Sequence, residues 1–287
     1  MLFGIAYRML GSVADAEDMV QETYLRWSQQ EPGAIATPKA WLVATITRRC
    51  IDELRSARKR REEYVGPWLP EPLVDASAPA PDAVAAMADS LGTAFLLMLE
   101  EFTPVERAVF LLREAFDYDY AEIARIVDKS EASCRQSVSR AKARLAGSRS
   151  APGRPTAQAE QIVQRFMTAT TTGELGDLLA VLTDDAVLYN DGGGRVPSAR
   201  RPVVSAAHIG RFFASLHERG FASADAKLVR VNDGIGLLTR RHDGLVTVTS
   251  FAFAGDRIRA IYTVSNPEKL RHVMRGQPAG GENSGRE

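Results

Sequence analysis

Two proline-rich stretches divide this chain of 287 residues into three parts. The first runs from Gly66 to Asp82 and the second from Ser148 to Thr156. Proline fixes the backbone angle φ and has no N–H to donate, so neither stretch can be helical throughout, and both are typical of linkers. The length is enough for two or three domains of ordinary size. We therefore expect a multidomain protein.

The spacing of the apolar residues changes at the second linker. Before it, residues 1–60 and 83–145 repeat their apolar side chains at helical intervals. After it, a helix-like start at 157–171 gives way to alternating runs such as Ala186–Tyr189 and Leu245–Phe251, which predict β-strands. Asp-Gly pairs that suit hairpin turns occur at Asp191-Gly192, Asp233-Gly234 and Asp243-Gly244. We expect two helical parts, then an α+β part, then a disordered Gly-rich tail.

The net charge of zero conceals segments of opposite sign. Residues 1–61 hold 10 Lys/Arg against 7 Asp/Glu, residues 62–119 hold 2 against 12, and residues 120–150 hold 7 against 3. Two basic segments that flank an acidic one are what two separate DNA-contacting modules would need. Local imbalance of this size is also common on solvated helices, so charge alone leaves the question open.

Composition excludes several other classes of protein. No apolar run approaches the roughly 20 residues of a membrane span. The N-terminal apolar run contains Arg8 and lacks the layout of a signal peptide. The two cysteines, Cys50 and Cys134, have no metal-ligand spacing. We expect a reduced, cytoplasmic protein without membrane contact, metal site or cofactor.

An acidic helix is predicted near the N-terminus. Asp15, Asp18 and Glu22 are spaced so that they lie on neighbouring positions of one helix. Four apolar residues can face inward from the same helix: Ala16, Met19, Val20 and Leu25. The alternative is a solvated acidic first turn that the helix dipole favours.

A basic helix follows in the segment from Pro38 to Arg55. Its apolar residues can form a buried stripe, namely Leu42, Ile46, Ile51 and Leu54. Arg48 and Arg49 are left outside, near Thr45 and Trp41. Arginine neutralises phosphate and aromatic faces accept unstacked bases, so this helix suits single-stranded or melting DNA. The alternative is a basic surface helix around a Trp41 that belongs to the core.

The second helical part contains a predicted helix-turn-helix. Thr103 is suited to cap a helix that starts at Pro104. Tyr120–Val127 then forms the first helix of the motif, Asp128-Lys129 the turn, and Ser130 caps the second helix. Asp128 stands where glycine is usual, because the turn needs a positive φ.

The second helix of this motif buries one stripe and exposes polar residues. The stripe consists of Cys134, Val138, Ala141 and Leu145. The exposed side chains are of types that contact base edges and phosphates from a major groove: Arg135, Gln136, Ser139, Arg140 and Lys142. The alternative is an ordinary helical hairpin with a charged face.

The two helical parts resemble regions 2 and 4 of extracytoplasmic-function sigma factors, all-α modules that occur in this order. The first resemblance covers AYRMLGSVADAEDMVQETYLRW and PKAWLVATITRRCIDELRSARKR. It implies contact with core RNA polymerase, through the β′ clamp, by Asp15, Glu17, Asp18, Gln21 and Glu22. It implies that the −10 element is contacted by the loop before the basic helix and by Trp41, Thr45, Arg48 and Arg49. The family has further residues before this point, so we expect a shortened first helix.

The resemblance to region 4 implies contact with the polymerase β flap and with the −35 element of promoter DNA. The residues that it assigns to −35 recognition are Ser133, Arg135, Gln136, Ser139 and Arg140. Two such modules on a short linker would bind a promoter at two elements.

The third part resembles the SnoaL-like domain, an α+β cone that ketosteroid-isomerase-type enzymes share, and we expect two helices followed by curved antiparallel strands. Three motifs are similar to those of a sigma subgroup with this fusion: Trp68–Pro72, Asp191–Arg195 and Asn266–Leu270, the last with Glu268 where Asp is usual. The resemblance implies that they form a regulatory interdomain contact, through Trp68, Pro70, Asp191, Gly192, Gly193, Gly194, Arg195, Asn266, Pro267, Lys269 and Leu270. A hairpin turn at Asp191–Arg195 is the local alternative.

The expected division of the chain is region 2 at 1–62, a linker at 63–84, region 4 at 85–147, a linker at 148–156, a SnoaL-like domain at 157–271 and a flexible tail at 272–287. The leading hypothesis is a sigma factor whose third domain regulates it. An enzyme would need a catalytic base, for which Tyr189, Asp191 and His208 are candidates that nothing in the sequence pairs. We therefore expect no catalytic residues. A conventional repressor would leave the acidic and basic helices without a purpose, and a small-molecule ligand of the third domain stays open.

Overall fold

A computed structural model describes residues 1–31, 33–75, 92–147, 157–220, 223–232 and 234–275. The second linker lies outside these residues, as do the later part of the first linker, most of the tail, and Asp233 of one predicted turn.

The first helical unit consists of α1 (Leu2–Leu10), α2 (Val13–Ser28) and α3 (Pro38–Glu62). The predicted break between α1 and α2 is confirmed, because Gly11 has φ +67° and Ser12 accepts a hydrogen bond from the Asp15 N–H. Leu25 was expected to face inward and is 58% exposed. It lies nine positions after the buried Ala16, which is half a turn away at about 100° per residue.

The second helical unit consists of α4 (Thr93–Leu99), α5 (Pro104–Glu114), α6 (Tyr120–Val127) and α7 (Glu131–Gly147). Thr103 caps α5 and forms a capping box with Glu106, and Ser130 accepts a hydrogen bond from the Ser133 N–H. Asp128 ends α6 in the left-handed conformation, with φ 54° and ψ 57°. The predicted helix-turn-helix is therefore confirmed as a structure.

The two helical units share one hydrophobic core. Ile46 of α3, Leu111 of α5 and Ile123 of α6 are at most 1% exposed and belong to one buried cluster. Helices α1 and α3 pack on α5, and α3 also packs on α6. The predicted stripe of α7 enters the same cluster.

The third unit is an α+β domain built on one curved sheet. Its helices are α8 (Ala157–Thr172), α9 (Leu175–Ala180), α10 (Ala206–Glu218) and α11 (Arg271–Arg275). Its strands are β2 (Leu182–Asp191), β3 (Val203–Val204), β4 (Ser223–Val231), β5 (Gly234–Arg241), β6 (Val246–Ala254) and β7 (Arg257–Val264). One further strand, β1 (Val74–Asp75), comes from the first linker and pairs antiparallel with β4.

The strand order is β1-β4-β5-β6-β7-β2-β3. The α+β fold class is confirmed, but the expectation of antiparallel strands throughout is wrong, because β2 pairs parallel with β7. After β2 the chain forms β3 and α10 and then the antiparallel β4–β7 meander. The helix α10 was not predicted from the sequence.

The two faces of the sheet have different partners. One face packs against α8, α9 and α10 around Phe166, whose ring meets those of Phe213 and Phe251 edge-on at centroid distances of 5.5 and 5.1 Å. The other face carries Val248, Tyr262 and Val264, and it packs against the first linker and α11. This second face brings the linker motif and the third domain together.

Candidate functional site

The centre of the interdomain contact is a buried ion pair at the end of β2. Asp191 is fully buried, and its Oδ2 lies 2.7 Å from Nζ of Lys269. The same oxygen accepts the N–H of Leu69 at 2.8 Å, and Oδ1 accepts the hydroxyl of Tyr64 at 2.5 Å. Lys269 also donates to the carbonyl of Leu69. A buried charge is costly unless it is paired and hydrogen-bonded, and here both conditions are met.

Burial sets the titration of these groups. It lowers the pKa of Lys269, and the neighbouring Asp191 carboxylate opposes this shift. Burial also raises the pKa of the Tyr64 hydroxyl, and its hydrogen bond to Asp191 acts in the same direction. The tyrosine therefore stays protonated and acts as a donor.

Two cations contact the ring of Trp68. The guanidinium of Arg61 is 3.8 Å from the centroid of its ring, and Nζ of Lys269 is 4.3 Å from it. A Cβ on Gly11 would come within 2.9 Å of the ring, so glycine permits the α1–α2 turn to approach the tryptophan. Cation–π contacts of this kind contribute about 0.5–2 kcal/mol each, more when desolvated. The linker thus contacts the first helical unit and the third domain through one side chain.

The glycine-rich motif and the Asn266–Leu270 motif face the same segment. Gly193 has φ +58°, and a Cβ there would lie 2.2 Å from Nδ2 of Asn266. That nitrogen donates to the Tyr64 hydroxyl at 2.9 Å, and the Asn266 N–H donates to the Asp191 carbonyl at 3.0 Å. Gly194 approaches Val65 of the linker, while Gly192 packs on Ser198 within the third domain.

The other predicted interdomain residues lie in or beside this cluster. Arg195 and Glu268 form an exposed ion pair of 2.8 Å, and Leu270 is fully buried beneath the sheet face. The carbonyl of Pro267 accepts a hydrogen bond from the Leu270 N–H. Pro70 is buried next to Gly11. The structure therefore brings the three predicted motifs together around the start of the linker.

Glu71 was not predicted as a site residue, although it lies inside the quoted linker motif. Its Oε2 accepts the N–H of Val13 at 2.8 Å and its Oε1 accepts the hydroxyl of Ser12 at 3.0 Å, so the linker supplies a cap for α2. Burial raises the pKa of Glu71, and these hydrogen bonds oppose the shift. The Tyr7 hydroxyl donates to the Glu71 carbonyl at 2.6 Å. Tyr64 was also missed, and no sequence signal marked it.

A second charged cluster lies where the two helical units meet. Glu100 accepts hydrogen bonds from Arg61 and, at 2.5 Å, from Arg107. Arg107 also donates to the carbonyls of Leu99 and Met9, which tie α5 to α4 and α1. Burial lowers the pKa of Arg107 to about 9. Arg61 joins this cluster to Trp68.

The residues predicted to contact the −10 element are engaged within the protein. Arg48 donates to the carbonyls of Arg125 and Ile126 in the last turn of α6, at 2.9 Å each. Arg49 pairs with Glu22 at 2.6 Å. Although burial alone would raise it, the pKa of Glu22 is lowered by Arg49 and Arg26.

Trp41 and Thr45 are the other two residues of this predicted set, and both are half-buried on α3. The Trp41 ring lies edge-on to Trp27 at 5.6 Å. It therefore packs against α2 while part of its surface remains accessible.

The predicted polymerase contacts lie along one helix. Glu17, Asp18 and Gln21 are exposed on α2, while Asp15 and Glu22 are half-buried. Tyr24, 66% exposed, lies on the same helix and was not predicted.

The predicted −35 contacts are presented by α7. Ser133 is half-buried, and Arg135, Gln136, Ser139 and Arg140 are exposed. Arg135 lies 2.6 Å from Glu131 and 4.5 Å from the ring centroid of Tyr120. The accessible face matches the one expected of a recognition helix.

The three candidate catalytic residues do not form a set. Tyr189 stacks on Tyr262 at 5.4 Å on the sheet face that packs against the linker, and Asp191 is committed to the ion pair. His208 is exposed at the start of α10, where it bonds Ser205 and the Val204 carbonyl. Among the residues that the structure describes, no group of three His, Cys, Asp or Glu side chains could hold a metal ion, and no helix could cross a membrane.

Comparison with known proteins identifies two family matches within the chain. Residues 1–60 match the sigma-70 region 2 family, and residues 93–145 match the sigma-70 region 4 family. The ECF RNA polymerase sigma factor SigJ of Mycobacterium tuberculosis (strain H37Rv) is 35% identical over 97% of this chain and 94% of its own length. The probable ECF sigma factor SigI of the same species is 35% identical over 63% of each chain. The crystal structure of SigJ superposes with a TM-score of 0.76 and 31% identity, covering 94% of both chains.

Proposed function

This chain belongs to the extracytoplasmic-function sigma factors of RNA polymerase, and we propose that it binds core polymerase and directs it to specific promoters. The similarity to SigJ along nearly the whole chain carries this proposal. The domain division predicted from the sequence is part of it, with region 2 at 1–62, region 4 at 85–147 and a SnoaL-like domain at 157–271. Because its partner is the transcription machinery of a bacterium, we propose that it acts in the cytoplasm.

The proposed polymerase contact is the exposed side of α2. Glu17, Asp18 and Gln21 are accessible there, and Tyr24 and Leu25 are large apolar side chains left exposed beside them. An acidic helix with apolar neighbours fits a basic and partly apolar partner surface, which supports the assignment to the β′ clamp.

We infer that the two helical units separate for promoter contact, because Arg48 of the proposed −10 set is bound to α6 in the present arrangement. Hydrogen bonds from Nε and Nη2 of Arg48 to α6 hold its guanidinium against the second helical unit and restrict how it could bind DNA. We therefore take the arrangement with a shared core to be a closed form. Polymerase binding would favour an open form by its differential affinity for the two.

The third domain is proposed to regulate this opening through the first linker. Lys269 contacts Trp68, Asp191 binds Leu69, and Arg61 of the first helical unit also contacts Trp68. Arg61 in turn binds Glu100, the carboxylate that joins the two helical units. A change in how the third domain holds the linker would therefore alter the contacts between regions 2 and 4.

Enzymatic chemistry is not part of the proposal. Sigma factors are specificity subunits, and the three catalytic candidates face different surroundings. Aromatic side chains such as Phe166, Phe251 and Phe253 pack between the helices and the sheet. A small-molecule ligand for this domain stays a prediction.

The deciding experiment is binding of the full chain to purified core polymerase, followed by transcription from promoter DNA. The charge-reversal variant Asp18→Lys/Glu22→Lys should bind core at least tenfold more weakly, since it removes the acidic contact. Its matched control is Glu160→Lys/Asp177→Lys, which makes the same charge change on the exposed surface of the third domain and should bind as the natural chain does. Absence of core binding by the natural chain would overturn the proposed function, and equal loss in both variants would overturn the role of α2.

A further inference from the structure

One arginine of the proposed recognition helix, Arg135, contacts a ring from outside that helix and a carboxylate within it. The Arg135 guanidinium lies 4.5 Å from the ring centroid of Tyr120, and its Nη2 lies 2.6 Å from Oε2 of Glu131. Its side chain is 58% exposed. An exposed arginine ordinarily samples many rotamers, so contact with a ring and with a carboxylate together restricts where its guanidinium can lie.

Tyr120 is itself fixed by the fold. It is the first residue of α6, it is half-buried, and Asp119 anchors that helix start with a capping box. Arg113 contacts the same ring at 5.1 Å and is held by a hydrogen bond of 2.9 Å to the Tyr118 carbonyl. The ring is therefore a rigid support and not a mobile surface group.

The other proposed −35 arginine is held differently. Arg140 lies 3.8 Å from Glu106 and is 55% exposed. At that length the contact is looser than a hydrogen-bonded ion pair, although the Glu106 side chain is only 17% exposed. Of the two arginines, Arg135 therefore has the tighter ion pair in addition to the aromatic contact.

We propose that Tyr120 is a positioning residue that determines base preference at one base pair of the −35 element. Bidentate donation from arginine to the O6 and N7 of guanine requires the guanidinium to lie in the plane of the base. The contact with the Tyr120 ring and the ion pair with Glu131 limit the orientations that this guanidinium can take. The inference rests on the proposed function, because it takes α7 to be the helix that contacts the −35 element.

The test is equilibrium binding of the full chain, assembled with core polymerase, to promoter fragments in which each −35 base pair is changed in turn. Arg135→Ala should lower discrimination at one base pair by about tenfold or more. Tyr120→Ala should lower discrimination at that same base pair by about three- to tenfold, and Tyr120→Phe should restore it because the ring remains. The double variant Tyr120→Ala/Arg135→Ala should match Arg135→Ala alone. Since tyrosine is uncharged, the dependence of binding on salt should not change in either tyrosine variant.

Tyr120→Leu serves if the alanine variant does not fold, because leucine keeps apolar packing on the core and removes the aromatic face. Additive effects in the double variant, or loss at a different base pair, would overturn the inference about Tyr120 alone. If Arg135→Ala leaves every −35 preference unchanged, the assignment of Arg135 fails, and the inference fails with it.

Discussion

Replacement of Lys269 by Met should release the first linker from the third domain. Methionine keeps much of the side-chain volume but leaves the fully buried Asp191 without its cation. Removing one partner of a buried ion pair costs about 3–5 kcal/mol. Loss of the contact with Trp68 adds to this cost, which the remaining hydrogen bonds from Tyr64 and Leu69 do not replace.

Hydrogen exchange of the linker measures this cost directly. The Leu69 N–H is bound by the Asp191 carboxylate and exchanges when the linker leaves the third domain. A loss of about 3 kcal/mol corresponds to roughly 150-fold faster exchange at this amide. Exchange followed by mass spectrometry on peptides that cover residues 64–75 would report it in the full-length Lys269→Met variant.

Arg195→Met is the matched control, because it removes one cation from an ion pair of similar length. Arg195 and Glu268 are 62% and 47% exposed, so their pair contributes about 0–1 kcal/mol and its loss should speed exchange less than about fivefold. The double variant Asp191→Asn/Lys269→Met leaves no unpaired charge and should exchange more slowly than Lys269→Met. Equal exchange in Lys269→Met and Arg195→Met, or faster exchange in the double variant than in Lys269→Met, would refute the reasoning.

Two further predictions concern the helical units. Arg48→Ala removes two hydrogen bonds between α3 and the end of α6, worth about 1 kcal/mol, so the ratio of open to closed form should rise about fivefold. Energy transfer between dyes attached at Gln29→Cys and Ala143→Cys should then fall. It should not change in the control variant Arg55→Ala, which alters an exposed residue. Because burial raises the folded pKa of Glu71 above its unfolded value, the contribution of this group to stability should be fully present below about pH 4.3 and should be lost as the pH rises through the folded pKa. Thermal unfolding of Glu71→Gln should lack that part of the pH dependence, and an unchanged profile would show that Glu71 does not titrate as proposed.

Local rules were enough to predict most of the helical units. The cap at Thr103, the start at Pro104 and the left-handed turn at Asp128 each depend on residues within one helical turn, and all three occur as predicted. The prediction that Leu25 faces inward is wrong, because the rotation of about 100° per residue along α2 places it on the exposed side of the helix. The exposed position of Leu25 is consistent with a contact surface on that helix.

Contacts between distant parts of the chain could not be predicted in this way. Strand β1 has only two residues, too few for an alternating pattern, and it exists because β4 offers a free edge. The parallel pairing of β2 with β7 and the contact of Arg48 with α6 join segments about 70 to 80 residues apart. The motifs Trp68–Pro72, Asp191–Arg195 and Asn266–Leu270 predicted the interdomain contact. The roles of Tyr64 and Glu71 in this contact depend on the fold and could not be predicted.

The way the third domain holds Leu69 explains why an ion pair is used where apolar residues could be equally stable. Asp191 accepts the N–H of Leu69 and Lys269 donates to its carbonyl, so the pair binds both main-chain groups of one residue. An apolar contact would let the linker shift by one residue, whereas this pair fixes which residue is bound and leads the chain into β1 in register with β4. If the linker left the third domain only partly, the two hydrogen bonds to the main chain of Leu69 would break. The ion pair would then stay buried without these hydrogen-bond partners. Release of the linker should therefore be cooperative, as a regulated transition between two states requires.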